Sequence, residues 1–328
     1  MSGIGVVGAG AWGTALAQML AADGREVLLW AREPEVVAAV NAEQRNPLFL
    51  PSASLSQSIR ATGDLADLAA LPILLMVTPA QHMAATLAEL GCSSDCDLVL
   101  CSKGIEAGTG RVMAEVARDA APGCGIAILS GPTFASEIAA GLPAAIVLAG
   151  EDTETCSAAQ AALTTLHFRI YTTDDVLGVL LGGALKNVMA IGAGVSDGLG
   201  FGSNARVALI TRGLAEMTRI GVALGAHALT FAGLSGVGDL VLTCSGDASR
   251  NRRVGLALGQ GRKMPDILAE MRQVAEGVKT AKVAKQLAAK IGVEAPIIDA
   301  MHAIIHEGVP VRDAISMLLG RRARGERD

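Results

Sequence analysis

Aromatic side chains are scarce in this sequence of 328 residues. Phe, Trp and Tyr together make up 2% of it, whereas apolar residues make up 51% and charged residues 18%. That balance is typical of folded globular proteins and excludes a disordered chain. The core must therefore consist mainly of aliphatic side chains. The length favours two domains, and a chain of this size buries enough surface to fold without disulfide bonds.

A strong charge of either sign is also missing, because the formal net charge is −5. We therefore expect no general attraction to nucleic acid or to anionic membranes. The first residues lack the basic and apolar regions of a signal peptide. The longest uncharged run, residues 68–85, contains Pro72 and Pro79, which exclude a membrane-spanning helix there. The sequence thus predicts a soluble, cytoplasmic protein without integral membrane association.

Motifs for disulfide formation and metal binding are missing as well. The cysteines form no CxxC pair, so we expect reduced thiols in a reducing compartment. They are Cys92, Cys96, Cys101, Cys124, Cys156 and Cys244. His302 and His306 stand one helical turn apart, but the HExxH pattern of a zinc site is absent. We therefore expect no bound metal.

Short apolar runs alternate with helical segments in the first half of the chain. The apolar runs predict strands over residues 3–8, 26–30, 73–78, 98–102, 126–131 and 144–149. Helices are predicted between strands over residues 12–22, 35–42, 80–90 and 109–120. This alternation indicates a Rossmann-type α/β domain with a doubly wound, mostly parallel sheet.

From about residue 177 the sequence indicates helices alone. They are predicted over residues 177–195, 204–224, 251–259, 264–272, 278–291, 296–306 and 311–319. We therefore expect an N-terminal Rossmann domain over residues 1–177 and an all-α C-terminal domain over residues 178–328. The charged tail, about the last eight residues, is expected to be frayed.

The segment 8–13 has the GxGxxG pattern and lies between a predicted strand and a predicted helix. In that context Gly8 allows a tight turn, Gly10 lets the backbone approach a pyrophosphate, and Gly13 lets the helix pack on the sheet. The helix N-terminus supplies free N–H donors for the anion. This segment therefore predicts a dinucleotide site in the N-terminal domain.

Arg32 and Glu33 follow the second predicted strand, where dinucleotide sites distinguish NAD from NADP. An acidic side chain there binds the ribose hydroxyls, whereas an arginine pairs with a 2′-phosphate. Arg32 thus favours NADP(H), while the adjacent Glu33 leaves NAD(H) open. A solvated loop charge is the alternative interpretation of Arg32.

Two further segments follow predicted strands, at the edge where open α/β sheets bind ligands. Lys103 comes directly after residues 98–102 and is a candidate for binding phosphate or a carbonyl group. Residues 130–135 (SGPTFA) combine small side chains with Pro132 at a predicted helix start, which exposes backbone donors. Ordinary loop structure is the alternative for both segments.

Lys186 is the most informative residue of the helical half. It lies in the apolar segment VLLGGALKNVMAIGAG (179–194), where burial of an unpaired ammonium group is costly. It must therefore have a partner, be neutral, or face a polar cleft. A desolvated lysine near other cations has a lowered pKa and exchanges protons readily. The alternative is a lysine that extends from the helix to solvent.

Two more candidates lie further along the helical half. Asp239 follows Gly236-Val237-Gly238 and is placed to bind the Lys186 ammonium group or a substrate hydroxyl; helix capping is the alternative. Residues 249–253 (SRNRR) suit bidentate recognition of a phosphate, or else form a solvated basic helix start. The cluster is too small and too poor in aromatics for a nucleic-acid surface.

Together these segments resemble the bacterial NAD(P)-dependent glycerol-3-phosphate dehydrogenases over nearly the whole chain. The resemblance rests on long, rare segments: GAGAWGTALA (8–17), SKGIE (102–106), SGPTFASEIAAGLP (130–143), residues 182–217, GVGDLVLTCSGDASRNRR (236–253) and VAEGV (274–278). It implies a homodimeric cytoplasmic enzyme that reduces dihydroxyacetone phosphate to sn-glycerol 3-phosphate. That product is the backbone precursor of membrane phospholipids.

The resemblance also implies roles for individual residues. Lys186 would be the catalytic proton donor and acceptor. Substrate contacts would come from Lys103, Gly131, Thr133, Lys186, Asp239, Ser249, Arg250 and Asn251. The cofactor would contact Gly8, Gly10, Ala11, Trp12, Gly13, Arg32, Lys103, Ala135, Arg250, Val274 and Glu276. Ala11 stands where a Ser is common in the family, and we expect backbone N–H groups to compensate for the missing hydroxyl.

The chemistry of these residues agrees with that reaction, because a ketone needs a hydride on carbon and a proton on oxygen. Two rival functions remain open. A β-hydroxyacid dehydrogenase also has a Lys followed by Asn in a helix, but its substrate is a carboxylate, whereas residues 249–253 favour phosphate. A nicotinamide sensor without catalysis would keep the fold, and the presence of both Lys186 and Asp239 argues against it.

Overall fold

The computed structural model describes residues 3–271, 275–322 and 325, and its N-terminal half contains a sheet of eight strands. The strands are β1 (Ile4–Val7), β2 (Val27–Trp30), β3 (Ile59–Thr62), β4 (Ile73–Met76), β5 (Asp97–Leu100), β6 (Gly125–Ser130), β7 (Ala144–Ala149) and β8 (Phe168–Thr173). Their order is β3-β2-β1-β4-β5-β6-β7-β8, and all neighbours pair in parallel except β6 with β7. The predicted α/β fold is confirmed.

The edge strands show where prediction from apolar runs fails. β3 is absent from the predicted strands, and the sequence indicates only the end of β8. In β3, Ile59 and Ala61 are buried whereas Arg60 between them is exposed. Because an edge strand covered on one face alternates in polarity, it contains no continuous apolar run.

Helices pack on both faces of the sheet. They are α1 (Ala11–Ala22), α2 (Pro34–Glu43), α3 (Met83–Leu90), α4 (Met113–Ala120), α5 (Ala135–Ala139) and α6 (Thr153–Leu163). The helix predicted over 109–120 begins only at Met113, because Gly108 and Gly110 have φ values of 93° and 75°, outside the helical region. The helix start expected at Pro132 lies instead at Ala135, and α6 is an addition to the prediction.

After β8 the described residues contain helices and no strand, as predicted. They form α7 (Val176–Gly198), α8 (Gly202–Ala223), α9 (Ala228–Phe231), α10 (Asp239–Ser245), α11 (Arg250–Gly259), α12 (Met264–Glu270), α13 (Glu276–Lys290), α14 (Pro296–His306) and α15 (Val311–Leu319). A π-helical turn, Leu234–Gly238, leads into α10. Most of the tail expected to be frayed, residues 323–324 and 326–328, lies outside the described residues.

Helix α7 is the centre of the helical domain, and its residues 178–196 are all buried. It packs closely on α11, because a Cβ on Gly194 would lie 2.0 Å from the Arg252 carbonyl oxygen. A Cβ on Gly255 would likewise lie 1.9 Å from the Ile191 carbonyl oxygen. These glycines let the two backbones meet, which brings the start of α11 close to α7, the helix that carries Lys186.

Two segments are long and apolar enough to cross a membrane by length and hydropathy alone. Helix α7 is one of them, but 94% of its most apolar window is buried inside the protein, as in the core helix of a soluble domain. The other, residues 228–245, is 39% buried and consists of α9, the π-helical turn and α10. The packing of the helical domain therefore accounts for the apolar character of α7.

Candidate active site

The GxGxxG segment forms the turn from β1 into α1, at the sheet edge where the strand order reverses. Gly8 has a φ of 118°, and a Cβ on Gly13 would lie 1.9 Å from the Gly8 carbonyl oxygen. A Cβ on Gly10, by contrast, would meet no atom within 4 Å. In the described part of the chain, the buried Thr78 Oγ1 and Trp12 Nε1 beside this turn have no hydrogen-bond partner. The residues present therefore fit a dinucleotide.

Arg32 lies just beyond β2, and its side chain is 78% exposed. Its guanidinium group is 3.0 Å from Glu33 Oε1, and Glu33 is the N-cap residue of α2. Such an exposed ion pair contributes little to stability. Arg32 is therefore free to exchange this carboxylate for the phosphate of a ligand.

Lys103 follows β5 and joins the α/β domain to the helical domain. Its Nζ lies 2.7 Å from Asp239 Oδ2 and 3.3 Å from the carbonyl oxygen of Gly131. The Thr133 hydroxyl donates to the same carbonyl at 3.4 Å. Four of the residues predicted to bind substrate therefore meet at the carboxyl edge of the sheet.

Lys186 has the partner that its burial requires. Its Nζ donates to Asp239 Oδ1 and, at 2.8 Å, to Thr243 Oγ1. Burial lowers the pKa of Lys186 from 10.5 to about 7; the Asp239 carboxylate opposes this shift and the Lys103 ammonium group adds to it. An amine that titrates near neutrality can both donate and accept a proton.

The Asp239 carboxylate holds both lysines and is 1% exposed. Burial by itself would raise the pKa of Asp239, but the Lys103 and Lys186 ammonium groups outweigh it and hold the pKa below its usual range. Asp239 is the first residue of α10, and Gly238 is the N-cap. Asp239 therefore does not cap the helix, and its carboxylate makes the predicted hydrogen bond to Lys186.

Thr243 belongs to this cluster and is absent from the predicted site. It lies one turn after Asp239 on α10, and its hydroxyl donates to Asp239 Oδ1 at 3.3 Å. The i, i+4 spacing places the two side chains on one face of a helix. That spacing is the signal in the sequence, although a threonine in an apolar helix does not by itself indicate a site.

The start of α11 is organised by hydrogen bonds to its neighbours. Ser249 is the N-cap, and its Oγ accepts from the Arg252 N–H at 3.2 Å. The buried Asn251 donates to Asn187 Oδ1 at 2.9 Å and accepts from the Gly277 N–H at 3.0 Å. Asn251 thus ties α11 to α7 and α13 beside Lys186.

Residues 249–253 suit phosphate recognition by their sequence, but one of their three arginines already has carboxylate partners. The Arg252 guanidinium group lies 2.7 Å from Asp197 and 2.8 Å from Asp247. Because these carboxylates already satisfy it, Arg252 fixes the end of α7 to α11. The other two arginines of the segment are Arg250, whose charge acts on the Glu276 carboxylate, and the exposed Arg253.

The remaining candidates for cofactor contacts lie on three elements. Glu276 begins α13, and its buried carboxylate accepts from the Ala80 N–H of the α/β domain. Burial raises the pKa of Glu276, and the Arg250 charge opposes that shift. Trp12 of α1 and Ala135 of α5 pack against one hydrophobic cluster. Ala11 is the first residue of α1, and Val274 lies outside the described residues.

The cysteines and histidines take no part in the lysine cluster. All six cysteines are free thiols. His306 Nε2 lies 2.8 Å from the Val278 carbonyl oxygen, and His302 Nδ1 lies 3.1 Å from Glu307 Oε1. Over residues 3–271 and 275–322, no three His, Cys, Asp or Glu side chains are grouped to hold a metal ion. The absence of a metal stays a prediction.

Comparisons with known proteins identify the family. The family model described as NAD-dependent glycerol-3-phosphate dehydrogenase N-terminus matches residues 3–156, and the C-terminus model matches residues 175–316. A glycerol-3-phosphate dehydrogenase (NAD(P)+) of Novosphingobium aromaticivorans is 56% identical over 326 residues, which cover 98% of each chain. One from Erythrobacter litoralis is 55% identical over 325 residues, 99% of this chain and 98% of the relative.

A solved structure gives the same result in three dimensions. The crystal structure of glycerol-3-phosphate dehydrogenase from Coxiella burnetii matches with a TM-score of 0.93 and 38% identity. The match covers 97% of this chain and 99% of that one, so both domains are included. The chain therefore belongs to the NAD-dependent glycerol-3-phosphate dehydrogenase family.

Proposed function

We propose that this protein reduces dihydroxyacetone phosphate to sn-glycerol 3-phosphate with NADPH or NADH, and catalyses the reverse oxidation. The observation that carries the proposal is the pair of lysines on one buried carboxylate, Lys103 and Lys186 on Asp239. This cluster lies near the dinucleotide turn, because Ser102, next to Lys103, donates to the carbonyl oxygen of Thr78. Thr78 in turn lies beside Gly8.

Lys186 is the proton donor of the proposed reaction. Its ammonium group polarises the substrate carbonyl and gives a proton to the oxygen as the alcohol forms. Asp239 and Thr243 hold Nζ in position through the two hydrogen bonds described above. The reduced nicotinamide supplies the hydride when it is bound. In the reverse direction, neutral Lys186 accepts the proton of the alcohol.

The phosphate of the substrate is held away from the reacting carbon. We assign it to Arg250, with Ser249 and Asn251 at the start of α11 supplying further polar contacts. Gly131 and Thr133 contact the substrate from the α/β domain. Binding energy gained at the phosphate orients the carbonyl toward Lys186, which raises the rate of the chemical step.

The cofactor is placed along the α/β domain, residues 1–177, and the substrate is held mainly by residues 178–328. We assign the pyrophosphate to the turn over Gly10, with Ala11 and Trp12 beside it, and the adenosine ribose to Arg32. Further contacts are assigned to Lys103, Ala135, Arg250, Val274 and Glu276. NADP(H) is favoured because Arg32 is a cation at the ribose.

We further propose that the protein is a cytoplasmic homodimer that needs no metal. Its product would supply phospholipid synthesis.

The proposed reaction is tested by mixing purified protein with dihydroxyacetone phosphate and either NADPH or NADH. The fall in nicotinamide absorbance measures turnover, and rapid oxidation supports the reaction and the substrate together. Parallel reactions test 3-hydroxyacids with NADP+ and NAD+. Cofactor binding without turnover of dihydroxyacetone phosphate would overturn the substrate assignment, and turnover of 3-hydroxyacids alone would favour the rival dehydrogenase.

The cofactor preference is tested by Arg32→Ala. Loss of one charged contact to a 2′-phosphate should raise the KM for NADPH by about tenfold and leave the KM for NADH unchanged. Arg60→Ala is the matched control, since Arg60 is exposed on the neighbouring strand β3. Equal KM values for NADPH in Arg32→Ala and wild type would remove Arg32 from the ribose site.

A further inference from the structure

A buried asparagine holds the dinucleotide turn from a distant part of the sequence. Asn46 is 0% exposed and lies 37 residues beyond Ala9. Its Nδ2 donates to the Ala9 carbonyl oxygen at 2.8 Å and to Thr14 Oγ1 at 2.8 Å. The Thr14 hydroxyl donates to the same Ala9 carbonyl at 3.1 Å. Asn46, Thr14 and Ala9 thus form a closed ring of three hydrogen bonds.

This ring acts on the part of the turn that faces the ligand. Ala9 is the residue between Gly8 and Gly10, and its peptide bond to Gly10 is planar and trans. The Gly10 N–H therefore points opposite to the Ala9 carbonyl, away from Asn46. Gly10 has no side chain to fix that direction, and the space above it is open. The ring supplies the constraint that the glycine itself lacks.

Asn46 is in turn held rigidly. Its Oδ1 accepts from the Phe49 N–H at 3.1 Å, and its backbone carbonyl accepts from the Leu50 N–H at 3.2 Å. Leu50 is buried in the core of the α/β domain. Further along the same loop, the Ser56 N–H donates to Gln18 Oε1 of α1 at 2.7 Å. The loop after α2 is therefore fixed to α1 at two places.

We infer that Asn46 is a positioning residue for cofactor binding, which it promotes by orienting the Ala9–Gly10 peptide without touching the ligand. This inference rests on the proposed dinucleotide site. A preorganised N–H donor binds an anion more tightly than one that must first be ordered. Removal of the Asn46 donor should therefore weaken cofactor binding and leave the chemical step intact.

Asn46→Asp tests the inference, because the carboxylate keeps the side-chain volume and the acceptor for Phe49 but loses the donor to Ala9. Thr14→Val opens the same ring without adding a charge and provides a second test should Asn46→Asp not fold. Asn41→Asp is the matched control. Asn41 exchanges two hydrogen bonds with the backbone of Ala61, at 2.9 Å and 2.8 Å, and so fixes α2 to β3 away from the turn.

Direct titration with NADPH and steady-state kinetics give the readouts. Loss of the buried donor should raise the Kd and KM for NADPH by about tenfold in Asn46→Asp and about threefold in Thr14→Val. The KM for dihydroxyacetone phosphate, and kcat at saturating NADPH, should stay within about twofold of wild type. Asn41→Asp should lower the Tm without changing the Kd for NADPH.

Two results would overturn the inference. One is wild-type affinity for NADPH in folded Asn46→Asp and Thr14→Val. The other is a parallel loss of kcat and substrate affinity, which indicates a general structural role. If the wild-type protein itself binds neither NADPH nor NADH, the proposed cofactor site is wrong. That result differs from unchanged binding in the variants, which would contradict only the role of Asn46.

Discussion

Replacing Lys103 with Met should move the pH dependence of reduction to higher pH. Lys103 and Lys186 bind opposite oxygens of the Asp239 carboxylate, and the Lys103 charge lowers the pKa of Lys186. Two unit charges about 4 Å apart repel by about 4 kcal/mol at an effective dielectric constant of about 20, which sets the upper limit of the effect. Because Lys103 is partly exposed, we expect a shift of about one to two pH units after screening.

The direction of this shift follows from the role of Lys186 as proton donor. Reduction requires its ammonium form, so the rate falls as pH rises through the pKa of about 7. Without the Lys103 charge the ammonium form persists to higher pH, and the falling limb moves in the alkaline direction. Oxidation of sn-glycerol 3-phosphate requires the neutral amine, so its rising limb should move in the same direction.

The assay measures kcat for both directions across mildly acidic to alkaline pH, at saturating substrates. Lys103→Met will also lose binding energy, since Lys103 is assigned to both ligands, so the midpoint of the profile is the informative quantity rather than the rate. Lys103→Arg is the control, because it keeps the charge and should keep the midpoint. Equal midpoints in Lys103→Met and wild type would refute the electrostatic coupling.

Three further changes have defined outcomes. Lys186→Ala should lower kcat by about 10²-fold or more, with cofactor affinity retained in titrations, because the general acid is removed; wild-type turnover in this variant would refute the role of Lys186 as proton donor. Thr243→Val removes an acceptor from the Lys186 ammonium group, so the midpoint should move to lower pH, whereas Thr243→Ser should restore it. The buried Glu216 accepts from the N–H groups of Ile297 at 3.0 Å and Ile298 at 2.9 Å, where α14 begins. Glu216→Gln leaves one of these donors facing an NH₂ group, which should cost about 1–3 kcal/mol in urea unfolding and leave kcat unchanged.

Local features of the fold were predictable because neighbouring residues determine them. The GxGxxG turn lies within six consecutive positions. At Gly8 the φ angle of 118° is one that glycine adopts readily and other residues rarely do. Continuous apolar runs gave the central strands, since a parallel strand is covered on both faces. The edge strand β3 alternates in polarity because it is covered on one face, so it contains no continuous apolar run and was not predicted.

The site was predicted residue by residue but not as an arrangement. Lys186 stood out because an ammonium group in an apolar helix needs a partner, and Asp239 was one candidate. That Lys103 shares this carboxylate, 136 positions away along the chain, follows only from the packing of the segment after β5 against α10. Residues 249–253 indicated a phosphate site, and the structure showed that Asp197 and Asp247 already bind Arg252, one of the three arginines of that segment.

By itself, the sequence determined the strands of the central sheet, the helices around them, the dinucleotide turn and the need to pair a buried lysine. These features depend on backbone geometry and burial over short spans of chain. Tertiary structure alone decided that Thr243 completes the lysine cluster and that Asn46 holds the turn at Ala9. In the sequence, neither Thr243 nor Asn46 is marked by its neighbours as part of a site. Their hydrogen bonds exist because packing of distant elements excludes water and leaves one partner within reach.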